Sequence, residues 1–193
     1  MMNIGLFGGT FNPIHLGHMA LARECLRSME LSKVIFIPAF MPPHKEIQGN
    51  ASARDRAEMV ELAIKGCDDL ELSTYEIDKK GTSYSIDTIK YFIAKYGKGT
   101  EFFFLTGSDS LKELKDWKSI DEIMRLVKLV VAKRPGYALD RIYGDRVIYL
   151  EMNETDISSS VIREGVAGGL PVDHLMPSGV WEYIRRKGLY GEG

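Results

Sequence analysis

The chain predicts an α/β fold: a Rossmann-like, doubly wound, mostly parallel sheet with helices on both faces and a small C-terminal helical segment. Three observations carry this. Short apolar runs recur at residues 3–7, 34–38, 70–73, 101–106, 126–132 and 147–151, each about the length of a buried strand. Stretches with helical spacing of apolar residues lie between most of them, and that alternation favours a parallel sheet covered on both sides. At 193 residues, 45% hydrophobic and 27% charged, the chain suits one domain spanning residues 1–193, and two domains would be cramped.

The elements follow in order. After the first strand, residues 16–29 place Met19, Leu21, Ala22 and Leu26 at helical intervals. The strand at 34–38 leads into the least regular stretch, residues 39–51, with Pro42, Pro43, Gly49 and Asn50. Proline argues against a central strand there, and so long a loop is either a lid over a substrate or a plain connector. Residues 53–65 repeat with Ala57, Val60, Leu62 and Ile64. Residues 85–95 predict a helix capped by Ser85, with Ile86, Ile89 and Ile93 on one face. Beyond the last strand, Asp156, Ser158 and Ser159 are good cap types for a helix carrying Val161, Ile162 and Val166. The tail at 177–189 predicts a final helix, with Val180, Trp181 and Ile184 facing inward and Gly188 ending it. In such sheets ligands gather at the carboxyl ends of the strands, near the switch in strand order.

Composition narrows the function classes. A net charge of −2 disfavours a nonspecific nucleic-acid binder, and the basic cluster at 185–187 reads as a solvated helix end. Cys25 and Cys67 are far apart and form no CxxC, so a disulfide framework or structural zinc is not expected and a reducing compartment fits. The opening MMNIGLFGG lacks the pattern of a signal peptide, and no apolar run approaches the roughly 18 residues of a membrane span. The expectation is a soluble cytoplasmic protein with no membrane or nucleic-acid partner; a homo-oligomer is left open.

Two segments carry chemistry. Residues 8–18 read GGTFNPIHLGH directly after the first strand. Gly8 and Gly9 let backbone approach a bulky anion, Asn12 and Pro13 mark a turn, and the free N–H groups of the next helix point back at the loop. His15 and His18, three apart, face one side and can donate to phosphoryl oxygens. The segment fits neither GxxxxGK[ST] nor GxGxxG, which disfavours a P-loop ATPase and a Rossmann dehydrogenase. Residues 156–163 read DISSSVIR, a serine-rich helix start followed by Arg163, which can clamp phosphate oxygens; an ordinary capped helix is the equal alternative.

Together, HxGH after a GGxF turn and the ISSSxIR run resemble the nucleotidyltransferase superfamily, which adenylates or cytidylates phosphate-bearing substrates. The resemblance implies that His15, His18 and Arg163 are catalytic. It implies that Gly8, Gly9, Thr10, Phe11, Ile157, Ser158 and Ser159 join them in binding ATP. Ser160 stands where the family commonly has threonine, which keeps the hydroxyl. Further fragments, in order, are PPHK at 42–45, GTSYSIDT at 81–88, GSD at 107–109, Trp117 in KDWKSI, KRPGY at 133–137, and the ending from 170 to 184. This set closely resembles the bacterial nicotinate mononucleotide adenylyltransferase family over nearly the whole chain. The resemblance implies ATP and nicotinate mononucleotide as substrates and Mg²⁺ carried with ATP. It implies stacking of the pyridine ring by Trp117 and Tyr84, and reading of the nicotinate carboxylate near Ser85, where threonine is common. His44, Lys45 and Arg134 would lie toward the mononucleotide phosphate, and Gly107 and Asp109 toward the nucleotide sugar. Open alternatives are a sister enzyme acting on phosphopantetheine or nicotinamide mononucleotide, and a nucleotide-binding regulatory module without chemistry.

Overall fold

A computed structural model describes residues 2–43, 46–107, 114–133, 147–151 and 157–191. Six strands form one sheet: β1 (Met2–Gly9), β2 (Lys33–Pro38), β3 (Leu70–Leu72), β4 (Thr100–Gly107), β5 (Lys128–Lys133) and β6 (Val147–Glu151). Their order is β3-β2-β1-β4-β5-β6, and every neighbouring pair is parallel. The helices are α1 (Leu16–Ser28), α2 (Ala53–Ile64), α3 (Tyr75–Lys79), α4 (Ser85–Tyr96), α5 (Ile120–Leu126), α6 (Ser159–Ala167) and α7 (Ser178–Lys187). The chain winds outward from β1 in one direction through β3, then returns to pair β4 on the other side of β1. That reversal opens a crevice between the carboxyl ends of β1 and β4, at Gly9 and Gly107.

Alternation along the central strands explains the two covered faces. Phe103 and Leu105 of β4 join Phe7 and Phe36 on one side, under Met19, Ala22 and Cys25 of α1 and Met59 and Val60 of α2. Phe102 and Phe104 point to the opposite side, with Ile4, Leu6 and Ile35, under Ile86, Ile89 and Phe92 of α4. A strand apolar at every position needs cover on both sides, and that demand fixes the layered architecture. α7 ends at Gly188 in the left-handed conformation (φ 62°), as its place in the sequence predicts.

Three expectations need correction. β5 starts at Lys128 rather than 126, because Leu126 ends α5 and is 36% exposed. Ser85 is the first helical residue of α4, and Tyr84 occupies the cap position without a side-chain cap bond. On α7 the third inward residue is Tyr183, while Trp181 is only partly buried against the core. In the loop at 39–51, the Ala39 N–H donates to the Gly9 carbonyl at 2.9 Å, and the Gln48 carbonyl accepts from the Asn12 side-chain amide at 2.7 Å.

Candidate active site

β1 delivers Gly8, Gly9 and Thr10 to the crevice. A Cβ on Gly9 would stand 2.9 Å from the Phe11 ring, so the missing side chain makes room for that ring. Phe11 turns the backbone at φ 48° and buries its ring against Phe7 and Phe36, with centroids 5.3 and 5.6 Å away. The same ring meets His18 edge-on at 5.1 Å. His15 is the residue before α1, 6% exposed, and its ring centroid is 3.7 Å from that of His18. The two histidines therefore form one pair at a helix start. The Nδ1 of His18 accepts the His15 backbone N–H at 3.2 Å. A neutral His18 held this way carries its proton on Nε2, which makes that nitrogen a donor.

The second segment docks on the first. Ser158 caps α6 by accepting the Val161 N–H at 3.2 Å. Ser159 donates its hydroxyl to the Pro13 carbonyl at 2.9 Å, and Arg163 Nη1 donates to the Asn12 carbonyl at 2.9 Å. Arg163 Nη2 also donates to Ser160 at 3.3 Å. Ile157 is half-buried beside them. Residues separated by some 150 positions thus share one corner, the arrangement expected of groups that meet one polyanion.

The C-terminal strap completes this corner. The Tyr190 hydroxyl donates to Asn12 Oδ1 at 2.8 Å, and its backbone N–H donates to Asn50 Oδ1 at 2.9 Å. Burial pushes the Tyr190 phenol well above its ordinary value, against the nearby charges of Arg163 and Arg56, so it stays a donor. Nothing in the tail's sequence marked Tyr190.

On the other side of Gly8–Gly9 lies a cleft of about 190 Å³. Tyr84, Ser85, Trp117 and Lys118 line it together with Gly8, Gly9 and Thr10. Trp117 stands edge-on to Phe104 with centroids 5.7 Å apart, and the Lys118 ammonium sits 4.3 Å from the Tyr84 ring centroid. Glu76 also lines the cleft, 7% exposed, accepting the Thr88 hydroxyl at 2.6 Å. Burial raises its carboxyl above the usual glutamate range, opposed by hydrogen bonds from Thr88 and Ser83 and the charges of Lys79 and Arg56.

Arg56 is fully buried and donates to the carbonyls of Thr10 at 2.7 Å and Phe40 at 3.2 Å. Since Phe40 N–H donates to Ser83, a polar chain runs from the Gly9–Thr10 turn to the start of α4. Arg56 was legible in principle, because an arginine four and eight residues before Val60 and Ile64 lies on the apolar stripe of α2. Glu76 and Lys118 carry no such local signal.

Of the residues singled out from sequence, Gly8, Gly9, Thr10, Phe11, His15, His18, Ile157, Ser158, Ser159 and Arg163 gather at the first corner. Tyr84, Ser85 and Trp117 gather at the cleft, and Gly107 ends β4 across the crevice. His44, Lys45, Asp109 and Arg134 lie outside the described residues. Among the described residues, no three His, Cys, Asp or Glu side chains come together as a metal-holding group, and no helix is long and apolar enough to cross a membrane.

A reversing parallel sheet with a polar corner and an aromatic cleft at its switch point is the architecture of a nucleotidyltransferase-like protein. The cytidylyltransferase-like family model matches residues 6–165, and the chain belongs to that family. It is 43% identical over 191 residues to a protein of Halalkalibacterium halodurans named as a probable nicotinate-nucleotide adenylyltransferase, covering 98% of this chain and 92% of that one. A protein of Clostridium perfringens with the same name is 40% identical over 200 residues, 98% of each chain. Among solved structures, the nicotinic acid mononucleotide adenylyltransferase of Plasmodium falciparum complexed with NaAD superposes over 98% of both chains with a TM-score of 0.80; at 16% identity this bears on the fold.

Proposed function

We propose that the protein transfers the adenylyl group of ATP to nicotinate mononucleotide, giving nicotinate adenine dinucleotide and pyrophosphate. One observation carries this. The Gly8–Thr10 turn that opens onto the histidine pair also lines the cleft holding Tyr84 and Trp117, so a polyanion corner and an aromatic slot share a wall. The names of the 40–43% identical relatives support the same acceptor.

In the reaction, an oxygen of the acceptor's 5′-phosphate attacks the α-phosphorus of ATP in line. The bond from the α-phosphorus to its bridging oxygen breaks and pyrophosphate leaves. The attacking phosphate is already anionic near neutral pH, so neither a strong base nor a protein nucleophile is required. The protein's work is to align two anions and stabilise charge developing on the transferred group. His15 and His18 meet the phosphates, with His18 Nε2–H as a donor fixed by the bond at Nδ1. Arg163 holds the β- and γ-phosphates with its remaining N–H groups, and Ser159 joins it by turning its hydroxyl from the Pro13 carbonyl, aided by the N–H groups at the starts of α1 and α6. Mg²⁺ carried with ATP would be held chiefly by phosphate oxygens and water and would supply charge neutralisation there. Tyr84 and Trp117 stack the electron-poor pyridinium, and the first turn of α4 favours a carboxylate beside it.

The test is pyrophosphate release with ATP and Mg²⁺ in parallel assays with nicotinate mononucleotide, nicotinamide mononucleotide and phosphopantetheine. Release strongest with the nicotinate form is expected. Release mainly with phosphopantetheine would keep the transfer chemistry and overturn the acceptor, and ATP binding without release would leave a silent nucleotide-binding module.

A further inference from the structure

We propose that Lys118 is the residue that discriminates nicotinate from nicotinamide in the acceptor cleft, a role that rests on the acceptor named above. The cleft has a charge problem. Among its described lining residues the charged side chains are Glu76 and Lys118, and Glu76 is a carboxyl. A substrate carboxylate entering the same space needs a cation to offset it. The first turn of α4 supplies only a partial positive charge, and it already contains Asp87. Asp87 is paired with Lys79 at 2.7 Å and also feels the charge of Lys118, and Lys118 is the full positive charge among the described residues that line the cleft.

The place of the ammonium tells how it acts. It sits 4.3 Å from the Tyr84 ring centroid, closer than the roughly 4.5–7 Å between centroids of paired aromatic rings. An incoming pyridinium stacking on that face must take the place of the ammonium. One cation replaces another over the ring, so the cation–π contact is exchanged rather than lost. Lys118 is exposed, on a flexible four-carbon stem that lets its head swing to the rim of the bound ring. The nicotinate carboxylate at that rim accepts a charge-assisted hydrogen bond from it. The neutral carboxamide gains much less, because its oxygen carries no full charge. Discrimination thus arises from a lysine that holds the slot in the free enzyme and pairs with the acid in the complex.

The test compares kcat/KM for nicotinate and nicotinamide mononucleotides, at saturating ATP and Mg²⁺, in the wild-type protein, Lys118→Met and Lys118→Arg. Met keeps the apolar stem and removes the charge. The acid-to-amide ratio is expected to fall about tenfold to a hundredfold in Lys118→Met, the worth of one charge-assisted hydrogen bond, mostly through KM for the acid. Lys118→Arg is expected to restore most of it. An unchanged ratio in Lys118→Met, with the wild type active on the acid, would overturn the role of Lys118 while leaving the acceptor intact. Equal loss with both substrates would also overturn it, assigning Lys118 to general packing. A wild type inactive on the acid would overturn the acceptor, and this proposal with it.

Discussion

At the carboxyl end of β1 the groups proposed to meet ATP come from two short runs of sequence, tied by hydrogen bonds from Ser159, Arg163 and Tyr190 to the turn at 12–13. The acceptor cleft draws Glu76, Tyr84, Trp117 and Lys118 from separate segments and leaves the last three half-buried or exposed. The difference matches two tasks. Stabilising charge on a transferring phosphoryl group needs donors fixed before the reaction begins. Choosing an acceptor needs surfaces that close on one ring and reject another, and these can afford side chains that move.

The contrast breaks most sharply at the histidine pair. His18→Ala should lower kcat about 10²–10³-fold, the usual effect of removing one preorganised donor, with little change in KM for nicotinate mononucleotide. Steady-state kinetics with both substrates varied would check this, and near-wild-type turnover would remove His18 from the chemistry. The next largest effect belongs to the cleft. Trp117→Ala should raise KM for the pyridine substrate about tenfold while kcat survives, from lost stacking and buried area. A change confined to the ATP parameters would mean that the cleft is not the acceptor site.

A smaller effect tests the lock itself. Tyr190→Phe deletes the hydroxyl that donates to Asn12, worth about 1 kcal/mol, and should lower kcat severalfold without moving KM for the pyridine substrate. A rise in that KM instead would merge the two regions. The smallest effect is a pH dependence of stability from Glu76. Its folded-state pKa is raised, chiefly by burial, above the unfolded value. Its stabilising contribution is therefore fully present below the ordinary glutamate value of about 4.3 and is lost as pH rises through the folded value. Denaturant titrations of wild type and Glu76→Gln should favour the wild type most near about pH 4, with the advantage shrinking toward neutrality. A constant difference would contradict the shift.

The same contrast governs what the sequence made legible. The two phosphate segments stood out because each packs glycines, histidines or serines into a few consecutive positions after a strand. All six strands were visible as apolar runs, since a sheet covered on both faces must be apolar at nearly every central position. β5 was misplaced at its start because Leu126 and Val127 extend the apolar run backward into the end of α5. α3 and α5, five and seven residues long, are shorter than the window in which helical periodicity shows. Glu76 and Tyr190 went unnoticed because their partners are Ser83 and Asn12, and only the folded chain brings them together, whereas the place of Arg56 on the apolar stripe of α2 was a local signal left unread.

The most direct measurement is the identity and stoichiometry of the product. Purified protein is incubated with ATP, Mg²⁺ and nicotinate mononucleotide, and the mixture is resolved by chromatography with mass detection. The account predicts nicotinate adenine dinucleotide and pyrophosphate formed in equal amounts. ATP consumed without a dinucleotide, or no consumption despite ATP binding, would contradict it.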